Sequence, residues 1–93
     1  MEQKYQSFKD LMIWKESMNH SVEIYAVFKS CKDFGFKDQI QRSAISVPSN
    51  IAEGFERQTD KEFVQYLFIA KGSKGELRTE IYLAIELGYI ERN

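Results

Sequence analysis

Apolar side chains recur at three- and four-residue steps along three stretches of the chain. That spacing stacks them on one face of an α-helix. In the first stretch, from about Phe8 to about Cys31, the stripe is Leu11, Trp14, Met18, Val22, Tyr25 and Phe28. Ser7 or Asp10 is placed to cap its start. The run Lys32-Asp33-Phe34-Gly35 then reads as a turn, with Gly35 free to take a positive φ.

The second stretch runs from about Lys37 to about Phe55, with Ile40, Ala44, Val47, Ile51 and Phe55 in phase. Pro48 lies inside it. An interior proline removes one backbone hydrogen bond and crowds the preceding turn, so a kink near residues 44–47 is expected. The alternative is a helix that begins afresh at Pro48. The unbroken phase of the stripe favours the kink. The third stretch opens at Thr59-Asp-Lys-Glu62, which matches a capping box. Its stripe is Phe63, Tyr66, Leu67, Ala70, Ser73, Leu77, Ile81, Ala84 and Ile85, persisting to about Leu87. Lys74 falls within that stripe, where its stem can pack while its ammonium reaches out.

These patterns predict an all-α protein, an antiparallel up-and-down helical bundle over residues 1–93 as one domain. The expected core is Trp14, Met18, Tyr25, Ile40, Val47, Ile51, Leu67, Ala70, Leu77 and Ile81. No stretch alternates with strand period. One proline and five glycines in 93 residues suit long helices better than a turn-rich β fold.

A chain this short is near the lower limit for a self-sufficient core, so association is plausible from the outset. Net charge is −1, and neither half is strongly basic, with seven basic against six acidic residues in 1–50 and six against eight in 51–93. Charge therefore gives no support for strong nucleic-acid binding by a monomer. The single cysteine, Cys31, cannot form an internal disulfide, and the polar N-terminus has no apolar signal core. No apolar run approaches membrane-spanning length. A cytoplasmic location is expected, with no membrane partner.

Catalytic and metal chemistry find little footing. A di-metal carboxylate bundle needs paired Glu-x-x-His motifs, and zinc needs several Cys or His; the chain has one of each. His20 falls opposite the Trp14–Tyr25 stripe and reads as a solvated helix residue. The Gly72-Ser-Lys-Gly75 run lacks the strand and spacing of a phosphate loop. Glu76 and Glu80 read as a solvated ridge. The expectation is no enzyme, no cofactor and no small-molecule substrate.

Two features stand out instead. Gln39, Arg42, Ser43, Ser46, Asn50, Glu53 and Arg57 form a polar stripe on the second helix, beside the apolar one. Ser and Asn compete with the helix backbone, and a purely solvated face is better served by Glu and Lys. The stripe is a candidate hydrogen-bond network to another helix or subunit, anchored by Arg42 and Glu53, ahead of a ligand site. On the third helix, Val64, Phe68, Gly72, Gly75 and Tyr82 lie away from the main stripe. Mid-helix glycine costs about 1 kcal/mol relative to alanine. Two of them flanked by aromatics mark a candidate face for close helix approach and self-association.

The stretch Gln39-Ile-Gln-Arg42-Ser-Ala-Ile-Ser46-Val-Pro48-Ser-Asn50-Ile-Ala-Glu53-Gly54 resembles the signature of the four-helix-bundle proteins known as the 23S rRNA intervening-sequence protein family. Phe8-Lys-Asp-Leu11-Met-Ile-Trp14 resembles the family's opening. Lys61-Glu-Phe63, and Ile69-Ala-Lys-Gly72-Ser73-Lys-Gly75-Glu76-Leu77, resemble its third helix. The resemblance implies a ring-shaped homo-oligomer, a pentamer, with no enzymatic activity. Some members are encoded within 23S rRNA genes. A related branch comprises accessory proteins of diversity-generating retroelements, which associate with reverse transcriptase and RNA. Members usually carry a fourth helix. Tyr89-Ile-Glu-Arg-Asn93 stands where that helix would begin, so a short or absent fourth helix, or a groove filled by a neighbour, is expected. Two functions compete on these grounds. One is a non-catalytic assembly or interaction module. The other is an RNA-associated accessory protein binding structured RNA or a reverse transcriptase, with Lys29, Lys32, Lys37 and Lys61 as scattered basic residues.

Overall fold

The computed structural model describes residues 7–91. Among them are three α-helices and no strand: α1 (Met12–Val27), α2 (Phe34–Phe55) and α3 (Asp60–Glu86), preceded by one 3-10 turn at Phe8–Asp10. The first helix is therefore shorter than its apolar stripe suggests. Ser7 caps the 3-10 turn, its hydroxyl accepting from the Lys9 N–H at 3.2 Å. Leu11 is extended before α1 and offers no side-chain cap. The second helix starts earlier than expected because Asp33 caps it, with Oδ1 accepting from the Phe36 N–H at 3.1 Å.

Thr59 caps α3 as its sequence predicts. Its hydroxyl oxygen accepts from the Glu62 N–H at 3.2 Å, and the hydroxyl itself donates to the Glu62 carboxylate at 3.1 Å. At the other end Gly88 takes φ +78°, and the Tyr89 N–H bonds the Ala84 carbonyl at 2.8 Å. This left-handed closure ends the helix and turns the chain back.

The helix α2 is the central element. Both α1 and α3 pack on it, while the backbones of α1 and α3 do not approach each other among the described residues. Two buried clusters line up along α2. One joins Ile24 of α1 and Phe28 just beyond it to Ile40 and Ala44 of α2 and to Leu77 and Ala84 of α3. The other joins Val47, Ile51 and Ala70, with Leu11, Trp14 and Leu67 packed against it. The stripes read on the second and third helices face inward as expected. Lys74 departs from its stripe and is exposed.

The first helix corrects the reading. Met18, Val22 and Tyr25 are 38%, 65% and 41% exposed, so Met18 and Tyr25 are not core residues. The buried face of α1 is Ser17, Ser21 and Ile24, continued by Phe28 just beyond the helix. Small polar residues occupy the seam because α2 comes close there and supplies an acceptor. The helix α2 runs unbroken through Pro48. Pro48 has no N–H, so the Ala44 carbonyl four residues earlier loses its intrahelical donor. The Ser21 hydroxyl of α1 lies 2.9 Å from that oxygen and donates to it, and lies 3.0 Å from the Ser17 carbonyl as well. A buried carbonyl left without a donor is costly, and here the neighbouring helix provides one.

Candidate functional site

The polar stripe on α2 faces α3 and is largely satisfied within the chain. Gln39 Nε2 donates to Glu80 Oε2 at 3.1 Å and lies 3.5 Å from the Ser43 hydroxyl. Ser46 and Ser73 share a hydrogen bond of 2.8 Å between the two helices. Asn50 Nδ2 folds back on the Ser46 carbonyl at 2.8 Å and on its hydroxyl at 3.0 Å. Arg57 reaches the Tyr66 hydroxyl and lies over the Tyr66 ring, with 4.9 Å from the guanidinium carbon to the ring centre. Ser43 is buried, and Ser46 and Asn50 are half-buried.

The anchors differ from those expected. Arg42 pairs with Asp38 at 2.8 Å, and Glu53 with Arg57 at 3.4 Å, both on the exposed side of α2. Such exposed i, i+4 pairs hold little stability. The two helices are registered instead by Ser46–Ser73 and Gln39–Glu80. Glu80 Oε1, at the end of this seam, is buried without a hydrogen-bond partner among the described residues. Glu80 thus belongs to the α2–α3 seam, whereas Glu76 is exposed.

Gly54 is the residue of this segment whose role sequence reasoning missed. A Cβ there would lie 2.6 Å from Tyr66 Cβ and 3.0 Å from a Phe63 ring carbon. Gly54 lets the C-terminal end of α2 meet the start of α3 closely, and the adjacent Phe55 and Phe63 rings pack edge-to-face at 6.1 Å. Its place on the α3-facing side of α2, beside Ser43, Ser46 and Asn50, was the available signal.

The second candidate face lies elsewhere. Val64, Phe68, Gly72, Gly75 and Tyr82 are all exposed, Phe68 to 67%. A Cβ at Gly72 or Gly75 would meet nothing within 4 Å, so neither glycine serves a contact inside the chain. Tyr82, toward the C-terminal end of this face, also lines the cleft between α1 and α3.

A further surface was hidden by the phase of α1. Trp14, Met18, Val22 and Tyr25 line an open groove of about 470 Å³ with Ile45, Pro48 and Ala52 of α2. No charged side chain lines it. His20 lies on the opposite flank of α1, exposed, where it lines the cleft toward α3. The Tyr89 hydroxyl donates to Asp33 Oδ2 at 2.6 Å, tying the C-terminal turn to the start of α2. This bond, with the Phe36 N–H second, holds the Asp33 carboxyl below its ordinary pKa; the same bond raises that of Tyr89.

No group of three or more His, Cys, Asp or Glu among the described residues is arranged to hold a metal ion. No helix among them is long and apolar enough to cross a membrane. Compared with known proteins, residues 9–93 match the family model described as 23S rRNA-intervening sequence protein, which is nearly the whole chain. No curated protein matches it.

Proposed function

Since the chain belongs to the 23S rRNA-intervening sequence protein family, its role is sought in a helical scaffold, and we propose that it is a non-catalytic module that assembles with copies of itself. The observation that carries this reading is the uncharged groove between α1 and α2. Met18, Val22 and Tyr25 keep helical spacing on a face that their own chain leaves open, with half-buried Trp14 at its end. A contiguous apolar surface with no charge in it is characteristic of an interface. The outer face of α3, with Phe68 beside Gly72 and Gly75, offers a second and different surface. Two unlike patches on one subunit make a heterologous contact, which closes into a ring when the rotation allows. A pentamer is the count that the family resemblance implies. The module is placed in the cytoplasm, where a lone thiol such as Cys31 stays reduced.

Light scattering tests the reading. The native chain is expected at a mass several times 10.9 kDa. Val22→Glu and Phe68→Glu, both at exposed positions, are expected to lower that mass while leaving the helical spectrum intact. A native chain that stays monomeric at high micromolar concentration contradicts the proposal. Binding to structured RNA that weakens steeply as salt rises, by the monomer as well as the variants, would favour the accessory-protein reading instead.

A further inference from the structure

The groove between α1 and α2 is uncharged along its length, but its α1 side runs into charge at both ends. Met18, Val22 and Tyr25 line it at steps of four and three residues. The same alternation reaches back to Lys15 and on to Lys29, so the five residues form one row. All five are exposed. Lys29 stands in the turn that closes α1, and the Lys37 ammonium donates to its carbonyl at 2.9 Å, which holds that turn and adds a second positive charge there. The row is therefore apolar in the middle and basic at its ends.

The helix α3 carries the same row with opposite sign. Glu62, Gln65, Ile69, Gly72 and Glu76 take the identical steps of three, four, three and four residues that Lys15, Met18, Val22, Tyr25 and Lys29 take. Ile69, at the middle, is 51% exposed and belongs to neither buried cluster. A Cβ at Gly72 would meet nothing within 4 Å. Glu62 is fixed at one end, its Oε2 accepting from the Thr59 hydroxyl at 3.1 Å, and Glu76 is exposed at the other. On both rows the end charges are fourteen residues apart, which is about 21 Å at the standard helical rise. Neither the two lysines nor the two glutamates pair within the chain, since the ion pairs among the described residues are Arg42–Asp38 and Arg57–Glu53.

We infer that the Glu62–Glu76 row of α3 in one copy of the chain seats in the α1–α2 groove of the next, parallel to α1, with Glu62 against Lys15 and Glu76 against Lys29. The inference rests on the self-assembly proposed above and names the segment that fills its groove. Laid parallel, the two rows coincide step for step. Ile69 then meets Val22, and the large Tyr25 meets Gly72, where the missing side chain admits close approach. Phe68, one position from Ile69, reaches the edge of the same contact. The apolar middle supplies affinity, and the end charges supply register. A slip by one turn would set Lys15 against an uncharged residue and leave Glu62 without its partner. Since groove and row are different surfaces of one chain, each copy receives a neighbour on one side and enters a neighbour on the other.

Charge reversal, read by light scattering with circular dichroism as the check on folding, tests the pairing. One variant carries Lys15→Glu with Lys29→Glu, the other Glu62→Lys with Glu76→Lys. Each alone is expected to raise the concentration of half-dissociation at least tenfold. Mixed in equal amounts they are expected to regain the lost mass, because the acidic groove ends of the first meet the basic row of the second, and the unaltered row of the first meets the unaltered groove of the second. Reversing all four positions in one chain is expected to restore assembly as well. Gly72→Leu, which adds bulk only to open space in a single chain, is expected to weaken assembly by a similar factor without loss of helicity. Assembly indifferent to both reversals, or a loss that neither mixing nor the fourfold reversal repairs, overturns the pairing and leaves self-assembly standing. A native chain that stays monomeric at high micromolar concentration overturns both.

Discussion

The two sides of α2 are built differently. Against α3, α2 presents a run of polar side chains, and the seam is registered by short hydrogen bonds and by the close approach at Gly54. Against α1, the seam holds two serines beside Ile24, one of which completes the carbonyl that Pro48 strands, while Met18, Val22 and Tyr25 of α1 stay outside. The contrast teaches that helix contact and apolar stripe need not coincide. Where backbones come close, small residues face inward, and a large apolar stripe left outside becomes surface for another molecule.

The comparison is broken most strongly at the shared core. Leu77→Ala, which removes a buried side chain where α3 meets both other helices, is expected to cost about 2–5 kcal/mol in chemical denaturation. Val22→Ser, on the apolar side of α1, is expected to change monomer stability by no more than about 0.5 kcal/mol. Equal losses for the two would mean that α1 turns the other way.

Each seam has its own test. On the α3 side, Gly54→Ala forces Tyr66 and Phe63 away and is expected to cost about 1–3 kcal/mol. On the α1 side, Ser21→Ala is expected to cost about 1–3 kcal/mol in the native chain, because the Ala44 carbonyl is left buried without a donor. In a Pro48→Ala background the helix can supply the missing N–H. The cost of Ser21→Ala is then expected to fall by about 1 kcal/mol or more. A double-mutant cycle with no coupling would sever the link drawn between Ser21 and Pro48.

Smaller effects lie at the exposed ends and faces. Gly72→Ala adds a methyl group into open space and is expected to stabilise the dilute monomer by about 0.5–1 kcal/mol. The bond between Tyr89 and Asp33 gives an acid dependence of known sign. Because the Asp33 pKa is lowered on folding, its contribution is present above the ordinary carboxylate value and is lost as pH falls through the lowered one. Acid titration of native and Asp33→Asn chains, followed by circular dichroism, should show that extra loss in the native chain alone.

Much of α2 and α3 was legible in the sequence. Ile40, Ala44, Val47 and Ile51 keep one phase and are all buried, and Thr59 marks the start of α3 through its own hydroxyl. The α2–α3 polar network was legible as a stripe, but not its anchors, since Arg42 and Glu53 find partners one turn away on their own helix. The phase of α1 was not legible because periodicity weighs size and hydropathy, and Trp14, Met18, Val22 and Tyr25 outweigh Ser17 and Ser21. What places the serines inward is the carbonyl freed by Pro48, a long-range fact that no window over α1 contains. The Tyr89–Asp33 bond joins residues 56 apart and was hidden for the same reason.

The central claim is that the Trp14–Tyr25 side of α1 is open in one chain and covered in the assembly. Trp14 is the only tryptophan and lines that groove, so its emission reports the event directly. Followed through serial dilution alongside light-scattering mass, the emission is predicted to move to longer wavelength as the mass falls, with the two midpoints coinciding. An assembly that dissociates while the Trp14 emission stays fixed would contradict the account.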